Sequence, residues 1–251
     1  METETTMERW RYAGTMSLVS AVLIAAMGSS AHAQSAGDNV VSVGWAHIAP
    51  QTGSDPVKVT SIGGVPMNSE VPGSSVGARS LETVGILAEH YFTDHIGVAL
   101  LGGFPMRTQL EGRGTFGGYG VLGDARTWSP ELLLRYHFGQ PESRFRPFAG
   151  VGVSYTWFTN ARVTNDAFIT QKFGPGGSAT AEASSSWSPV VQVGLDYRIS
   201  KHWSVGALVG YMPSDTSVTL KGRTAQGVEV VSQTKVRLRP IITFLSVSYT
   251  F

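Results

Sequence analysis

The histidines are the first side chains to examine for chemistry, because imidazole serves both as a metal ligand and as a general base. Six are present, at scattered positions: His32, His47, His90, His95, His137 and His202. None belongs to an HExxH motif or to another close ligand spacing, and the chain contains no cysteine. We therefore expect no metal site, no cofactor and no disulfide.

Other catalytic and binding motifs are missing from the sequence as well. No GxSxG nucleophile elbow occurs. The glycine-rich run at 112–118 is followed by no helical pattern, so it lacks the helix N-terminus that would bind a phosphate. A formal net charge of +1 gives no signature of nucleic-acid binding. We expect neither an enzyme nor a nucleic-acid partner.

The first 33 residues have the order of a secretory signal peptide. Arg9 and Arg11 precede the apolar stretch 16–27, and Ala31-His32-Ala33 provides small residues at the two key positions of a cleavage site. The apolar stretch is too short to span a bilayer as a helix, although a short anchor is the alternative. The acidic start leaves open whether translation begins at Met1 or Met7. The mature protein is expected to cover 34–251.

After the leader, eight segments read as β-strands, because apolar residues alternate with small or polar ones. The connections between them are short at 93–95, 139–144 and 200–201, and long and polar at 50–80, 106–125, 160–185 and 214–234. Short and long connections alternate throughout. The eight segments are 40–49, 81–92, 96–105, 126–138, 145–159, 186–199, 202–213 and 235–251.

This arrangement predicts an all-β protein, an eight-stranded antiparallel transmembrane β-barrel in the outer membrane of a Gram-negative-type cell. Such a barrel has an even number of strands, with short turns at the periplasmic rim and long loops outside. Strand alternation alone also fits a water-soluble sandwich. Strand length and the aromatic residues near strand ends favour the membrane, since tilted membrane strands need about 9–11 residues and interfacial aromatics. These aromatics are Trp45, Trp128, Trp157, Trp187, Trp203, Tyr211, Tyr249 and Phe251.

Once the apolar faces point to lipid, the opposite faces define the barrel interior. Several charged residues then point inward. Burying unpaired charges in a narrow barrel costs a large amount of free energy. We predict that they neutralise one another and plug the lumen near its periplasmic end. The predicted plug comprises Glu89, Glu131, Arg135, Arg146, Asp196 and Arg198.

Above these charges, the inward-facing positions are more apolar. An eight-stranded barrel has room only for packed side chains or for one small ligand. These residues therefore either line an apolar pocket that is open to the outside or pack the interior solidly. They are Leu87, Leu101, Leu133, Phe148, Phe158, Leu208, Met212, Ile242 and Phe244.

Four blocks of the sequence resemble the OmpW family of outer-membrane proteins, which includes related alkane-uptake proteins. The blocks are GILAEHYFTDHIGVALLGGFP, PELLLRYHFGQPESRFRPFAGVGVSY, VVQVGLDYRISKHWSVGALVGYM and the ending RLRPIITFLSVSYTF. The resemblance covers nearly all of 40–251, although the long loops match only in position. It implies an eight-stranded barrel with a hydrophobic channel that admits small apolar molecules, and this favours the pocket over solid packing. It also implies that Tyr249 and Phe251 form the signal read by the outer-membrane insertion machinery; Phe251 is alternatively just the last lipid-facing residue.

A solute stopped by a plug must leave sideways, and two prolines mark a place where the wall could be weak. Pro105 and Pro130 flank the second long connection on adjacent strands, and proline donates no N–H to a strand ladder. The resemblance likewise implies lateral release into the membrane. Alternatively, both prolines only end their strands.

The expected partners are outer-membrane lipids, small hydrophobic solutes and the insertion machinery. A structural or adhesin-like barrel, which binds partners through its outer loops, is the alternative function. The connection 160–185 is long enough either to bind such a partner or to cap the pocket.

Overall fold

A computed structural model describes residues 34–251, and the predicted signal peptide at 1–33 lies outside them. The described chain is almost entirely strand, with one short helix and one 3₁₀ turn, Gly117–Tyr119. Among these residues, no helix has the length and apolar character needed to cross a membrane. In chain order the elements are β1 (Asn39–Pro50), β2 (Gly53–Ser54), β3 (Lys58–Ile62), β4 (Val65–Glu70), β5 (Ser74–Ala78), β6 (Leu81–Tyr91), β7 (Ile96–Gly103), β8 (Met106–Gly114), β9 (Val121–Trp128), β10 (Glu131–His137), β11 (Phe145–Val163), α1 (Asp166–Phe173), β12 (Ser178–Ala183), β13 (Ser186–Arg198), β14 (Trp203–Tyr211), β15 (Asp215–Arg223), β16 (Glu229–Arg237) and β17 (Pro240–Thr250).

Eight antiparallel strands close into a barrel, which confirms the predicted fold. The neighbours in order are β1, β6, β7, β10, β11, β13, β14 and β17, and β17 pairs back with β1 from Val40↔Thr250 to Pro50↔Pro240. Closure leaves no unpaired edge, which a strand structure needs in lipid because hydrocarbon offers no hydrogen bonds. We call these eight strands, with β11 counted up to residue 156, the lower barrel.

The four long connections are not irregular loops, and that part of the prediction is wrong. They continue the wall upward as a second ring of strands: β2 to β5, β8, β9, β12, β15, β16 and the end of β11 from residue 157. We call this ring the upper barrel. Two predicted strands are consequently divided, because 126–138 breaks at 129–130 and 235–251 breaks at 238–239.

The upper strands alternate as the lower ones do, but with short and partly polar side chains. In β15, for example, Thr216, Val218 and Leu220 face the interior, whereas Lys221 and Arg223 face outward. Such a pattern has little overall hydrophobicity and many Ser and Thr residues, which is why the sequence reads as loop.

The outer face of the lower barrel is apolar and exposed, as a lipid-facing surface requires. Leu134, Val151 and Val193 are 51%, 57% and 61% exposed. Aromatic residues border this band at both ends: near the short turns Phe92, Tyr136, Phe138, Phe145, Trp203 and Tyr249, and near the upper barrel Trp45, Phe104, Trp128, Tyr155, Trp157, Trp187 and Tyr211. From Trp187 to Tyr197 along β13, the rise is roughly 33 Å, or about 25 Å across the membrane at a tilt of about 40°.

The interior of the lower barrel is packed in its middle section. Leu87, Leu133, Phe148 and Phe244 are at most 3% exposed and belong to one apolar cluster. The ring of Phe148 lies against Gly194 on the neighbouring strand, where an added Cβ would come within 2.3 Å of it. Large side chains therefore fit across the lumen because glycine stands opposite them.

Candidate functional site: an apolar interior with an opening in the wall

The upper barrel encloses a cavity of about 240 Å³. Its lining comes from nearly every upper strand and is dominated by aliphatic and aromatic side chains. These include Val76, Leu110, Leu122, Phe158, Leu220, Val230 and Val236. A cavity with this lining is suited to bind a small apolar molecule, because binding removes apolar surface from water.

An aromatic roof covers the outer end of this cavity. Phe168 and Phe173 of α1 and Phe116, just before the 3₁₀ turn, are all buried; Phe168 packs edge-to-face on Phe116 at 5.7 Å between ring centroids. Asn165 holds the helix in place: its Oδ1 accepts from the Phe168 N–H at 2.8 Å and its Nδ2 donates to the Tyr119 carbonyl at 2.8 Å. The connection 160–185 thus contributes the helix that caps the interior.

A second cavity, of about 110 Å³, lies below the first, where the two barrels meet. The two cavities share Thr108, Phe158 and Leu238 in their walls. Leu101 and Met212 line the lower one, together with a carboxylate, Glu131. The two cavities therefore adjoin at these three residues.

The wall beside the lower cavity is interrupted between two neighbouring hairpin strands. The β7–β10 ladder stops at Leu101↔Glu131, and the β8–β9 ladder starts at Met106↔Thr127. Residues 102–105 and 128–130 between them form no ladder with each other. Pro105 and Pro130 each fall within one of these two segments, and neither ring nitrogen can donate a hydrogen bond across.

Both sides of this interruption are held by their other neighbours. Gly103 pairs with Gly85 of β6, Trp128 pairs with Trp157 of β11, and the Pro130 carbonyl accepts from the Tyr155 N–H at 3.3 Å. The missing pairing between these two segments is thus not a sign that either strand is frayed, although a second break in pairing lies across β11, between Thr156↔Ser186 and Arg162↔Thr180. Gly102, Gly103, Phe104, Trp128 and Ser129 belong to the cavity wall at this seam.

The nine residues predicted to line a pocket divide into three groups. Leu101, Met212, Ile242 and Phe244 line the lower cavity, and Phe158 lines both cavities. Leu87, Phe148 and Leu208 border only a void of about 10 Å³ beneath them. Leu133 is 1% exposed in the packed cluster and lines no cavity found within 34–251. Pocket and solid packing both occur, the first above the second.

A buried charge cluster lies below the packed section. Glu89 bonds to Arg135 Nη1 at 3.1 Å through Oε2 and to His137 Nε2 at 2.8 Å through Oε1. Asp196 Oδ2 lies 4.0 Å from His137 Nδ1. The Glu89 carboxylate fills the space beside Gly97, where an added Cβ would lie 2.4 Å from Oε1. His137, which is fully buried, lies on the same face of β10 as Arg135 and contacts two of the predicted plug acids, Glu89 and Asp196.

Arg146 closes the lower end of the barrel. Its Nη1 donates to the Gln34 carbonyl at 2.6 Å, its Nη2 donates to the Asp94 carbonyl, and the guanidinium lies 5.6 Å from the Tyr91 ring centroid. Together with the charge cluster above it, Arg146 fills the lumen at the short-turn end with bonded polar groups.

Two residues predicted for the plug lie elsewhere. Arg198 donates to the Pro141 carbonyl at 3.3 Å and to the Glu142 carbonyl, so it braces the turn after β10 instead of the lumen. Glu131 faces the lower cavity and is 5% exposed, and its carboxylate forms no hydrogen bond or ion pair with any residue in 34–251. Strand alternation fixes which face a charge occupies, but not its partner.

The C-terminal aromatics lie on the rim near the short turns. The Tyr249 ring packs against Trp203 at 5.0 Å and against Phe251 at 4.9 Å, and the Phe251 N–H donates to the Asn39 carbonyl at 2.9 Å. Their role as an assembly signal stays a prediction. Across 34–251, no group of three or more His, Asp or Glu side chains is arranged to hold a metal ion.

Comparison with known proteins agrees with this architecture. The OmpW family model matches residues 35–251. Outer membrane protein W of Vibrio cholerae is 28% identical over 92% of this chain and 96% of its own length. The dibenzothiophene metabolism operon protein PahQ of Pseudomonas aeruginosa is 26% identical over 82% of this chain and 91% of its own.

Among solved structures, the outer membrane protein OprG of Pseudomonas aeruginosa superimposes with a TM-score of 0.75. It is 26% identical, and the match covers 87% of this chain and 98% of that one. The closed barrel, the lipid-facing band and the family match over nearly all of the described residues lead to one conclusion: this chain belongs to the OmpW family and is a β-barrel protein of the outer membrane.

Proposed function

We propose that this barrel is a passive channel for small hydrophobic molecules, which enter the upper barrel from outside when the roof of Phe116, Phe168 and Phe173 moves aside, and leave through the side of the wall into the membrane. The observation that carries the proposal is a pair of adjoining apolar cavities, the lower of which reaches a seam without strand pairing. Lipid-facing surface begins at the same height.

The chemistry of the path supports an apolar solute. Aliphatic and aromatic side chains form most of the lining, and cavities of about 240 and 110 Å³ suit a small organic molecule. Such a solute gains free energy on leaving water, roughly 25 cal/mol for each Å² of apolar surface buried. The relative named for a dibenzothiophene metabolism operon agrees with an apolar aromatic solute.

A straight passage through the lower barrel is disfavoured by what fills it. The packed cluster around Leu133 and Phe148 leaves only a void of about 10 Å³. Beneath it, Glu89 bonds to both Arg135 and His137, and all three side chains are nearly inaccessible. An apolar solute would have to separate these charges without replacing their hydrogen bonds, which costs several kcal/mol.

The side exit requires much less rearrangement. Between residues 102–105 and 128–130 no ladder hydrogen bonds need to break, and both segments keep their bonds to β6 and β11. A solute in the lower cavity already contacts Gly102, Phe104 and Trp128 at this seam. On passing it, the solute moves from one apolar environment into another.

A cross-linking experiment tests the side exit directly, and the absence of native cysteine makes it clean. Gly102 and Pro130 lie opposite each other by extension of the Leu101↔Glu131 register, and a side chain at 102 meets nothing within 4 Å. The double variant Gly102→Cys/Pro130→Cys, joined by a short dithiol-reactive reagent, should lose most uptake of a labelled aromatic hydrocarbon by intact cells. Cleaving the reagent should restore uptake.

The matched control is Leu100→Cys/Leu132→Cys. Leu100 and Leu132 are the nearest paired positions of the same two strands that face outward, as Gly102 and Pro130 do. Cross-linking this pair should leave uptake unchanged, since the wall there is already closed. Equal uptake by the cross-linked and uncross-linked Gly102/Pro130 variant would overturn the side exit. No difference between cells with and without the wild-type barrel would overturn the channel itself.

A further inference from the structure

The outer surface of the upper barrel has an unusual excess of arginine on one side. On β5, β8, β9 and the end of β11, together with Arg79 just after β5, five arginines and two acids face outward, which gives this side a net charge of +3. We call it the arginine face. Its charged residues are Arg79, Arg107, Glu111, Arg113, Asp124, Arg126 and Arg162.

Each acid of the arginine face is shared between two arginines. Asp124 bonds to Arg107 Nη2 at 2.8 Å and to Arg162 Nε at 3.2 Å. The hydrogen bond from Arg107, aided by its charge, lowers the pKa of Asp124, so this carboxylate remains ionised at neutral pH. The two guanidinium groups are thereby held in place, yet 61% and 60% of these arginine side chains remain exposed.

Glu111 repeats this arrangement higher on the same face. It bonds to Arg79 Nε at 2.8 Å and to Arg113 Nη2 at 3.3 Å. Arg126 has no ion-pair partner within 34–251, although it stands directly opposite Arg107 in the β8–β9 ladder. Like charges at directly opposed positions destabilise a sheet. A bound anion would remove that repulsion.

The other side of the upper barrel shows that this excess is not general. On β3, β4, β12, β15 and β16, five basic residues are matched one to one by five acids, one of them between β2 and β3. The net charge of these ten residues is therefore zero, and we call them the neutral side. The pairs are Lys58–Glu70, Lys221–Glu182, Arg223–Glu229, Lys235–Asp215 and Arg237–Asp55.

The lower end of the arginine face, with Arg107 and Arg126, lies near the level expected for lipid headgroups. Trp128 and Trp157 are paired on the same outer face and stack at 5.8 Å with an interplanar angle of 1°. Tryptophan of a membrane barrel lies at the headgroup boundary. Arg126 is two residues above Trp128, which is about 7 Å along the strand or about 5 Å further from the hydrocarbon at a tilt of about 40°, where lipid phosphates are expected.

We propose that the arginine face binds the phosphate groups of the phosphorylated glycolipid in the outer leaflet, with one phosphate beside Arg107, Arg126 and Arg162. Planar guanidinium groups donate paired hydrogen bonds to phosphate oxygens, which lysine cannot do. The acyl chains of the bound lipid then lie against Trp128 and the seam at 128–130. The site would therefore place an ordered lipid at the edge of the opening, whether or not that opening conducts a solute.

The test measures binding of lipid A to the purified barrel in detergent, by native mass spectrometry and by titration. Arg126→Gln should weaken binding about tenfold, the typical loss for one charge-assisted hydrogen bond. Arg107→Gln/Arg126→Gln should weaken it further. Lys221→Gln/Lys235→Gln, on the neutral side, should leave it unchanged, and the heat-dependent electrophoretic mobility of each variant checks that the barrel is folded.

Three ligand arms identify the source of the phosphate. Lipid A with both phosphates removed should bind at least tenfold more weakly than intact lipid A. Phosphatidylglycerol and inorganic phosphate should compete poorly. Equal binding of dephosphorylated lipid A, equal competition by either of the other two ligands, or equal losses in the neutral-side variant would each overturn the proposal.

Discussion

The lower and upper barrels share one wall but have opposite polarity. In the lower barrel the outer face is apolar and the interior holds buried charge, as with Leu134 outside and Arg135 inside. In the upper barrel the outer face carries the ion pairs and the interior is apolar and hollow, as with Lys221 outside and Leu220 inside. Residues alternate between the two faces in both barrels, but the outer face is apolar where lipid surrounds it and polar where water surrounds it.

Breaking the buried charge cluster should cause the largest loss of stability. A charge left unpaired inside the lower barrel has no water around it, whereas one left on the upper barrel is solvated. Glu89→Leu leaves Arg135 and His137 buried without their carboxylate, and we expect a loss of about 3–5 kcal/mol in the free energy of unfolding. Glu182→Leu, which breaks the exposed pair with Lys221, should cost about 0–1 kcal/mol. Urea unfolding in lipid vesicles measures both, and equal losses would contradict the division into two barrels.

A charge introduced on the outer face should destabilise the lower barrel but not the upper one, and the expected loss is smaller than for Glu89→Leu. Leu134→Arg puts a guanidinium into the middle of the lipid-facing band and should destabilise the barrel by about 2–4 kcal/mol. Ser217→Arg, on the exposed outer face of β15, should change stability by no more than about 0.5 kcal/mol. The same unfolding assay applies, and a stable Leu134→Arg protein that is monodisperse without detergent would show that this face does not lie in lipid.

Glu131 stands where the two barrels meet, and its replacement should mainly change selectivity. Its carboxylate faces the lower cavity without a partner in 34–251, so it repels hydrocarbon but can bond to a hydroxyl group. Glu131→Leu should raise the uptake of a hydrocarbon relative to the matching alcohol by about tenfold, the worth of one buried hydrogen bond. Glu131→Gln keeps a hydrogen-bonding group and should shift this ratio less; an unchanged ratio in Glu131→Leu would remove Glu131 from the path.

The lower barrel could be predicted from the sequence because its outer face has a strong signal. Large apolar residues at every second position, as from Leu132 to Phe138, separate the lipid face from the interior without any knowledge of partners. Burial confirms this assignment for Leu87, Leu133 and Phe148. The sequence pattern did not reveal the upper strands, because water surrounds them and their outer face is polar. Short side chains such as Ala181 and Val218 are enough to line their hollow interior.

The sequence pattern could not predict which inward residues contact each other, because these contacts depend on the register between strands. Glu89, Arg135 and Glu131 all alternate to the inside, yet only the first two meet. The register places Glu131 level with the seam, whereas Arg135 lies next to Gly97, beside the carboxylate of Glu89. Arg198 is inward by the same alternation and reaches the turn instead, because its strand ends there.

What the sequence by itself determined is the set of lipid-facing residues, the number of membrane strands and the family, since periodicity and local motifs are properties of neighbouring residues along the chain. Only the tertiary structure decided that the long connections form a second ring, that the two cavities adjoin, and that strand pairing is interrupted beside Pro105 and Pro130. These features depend on which strands pair and where their ladders stop, and this is fixed when residues far apart in the chain close the barrel.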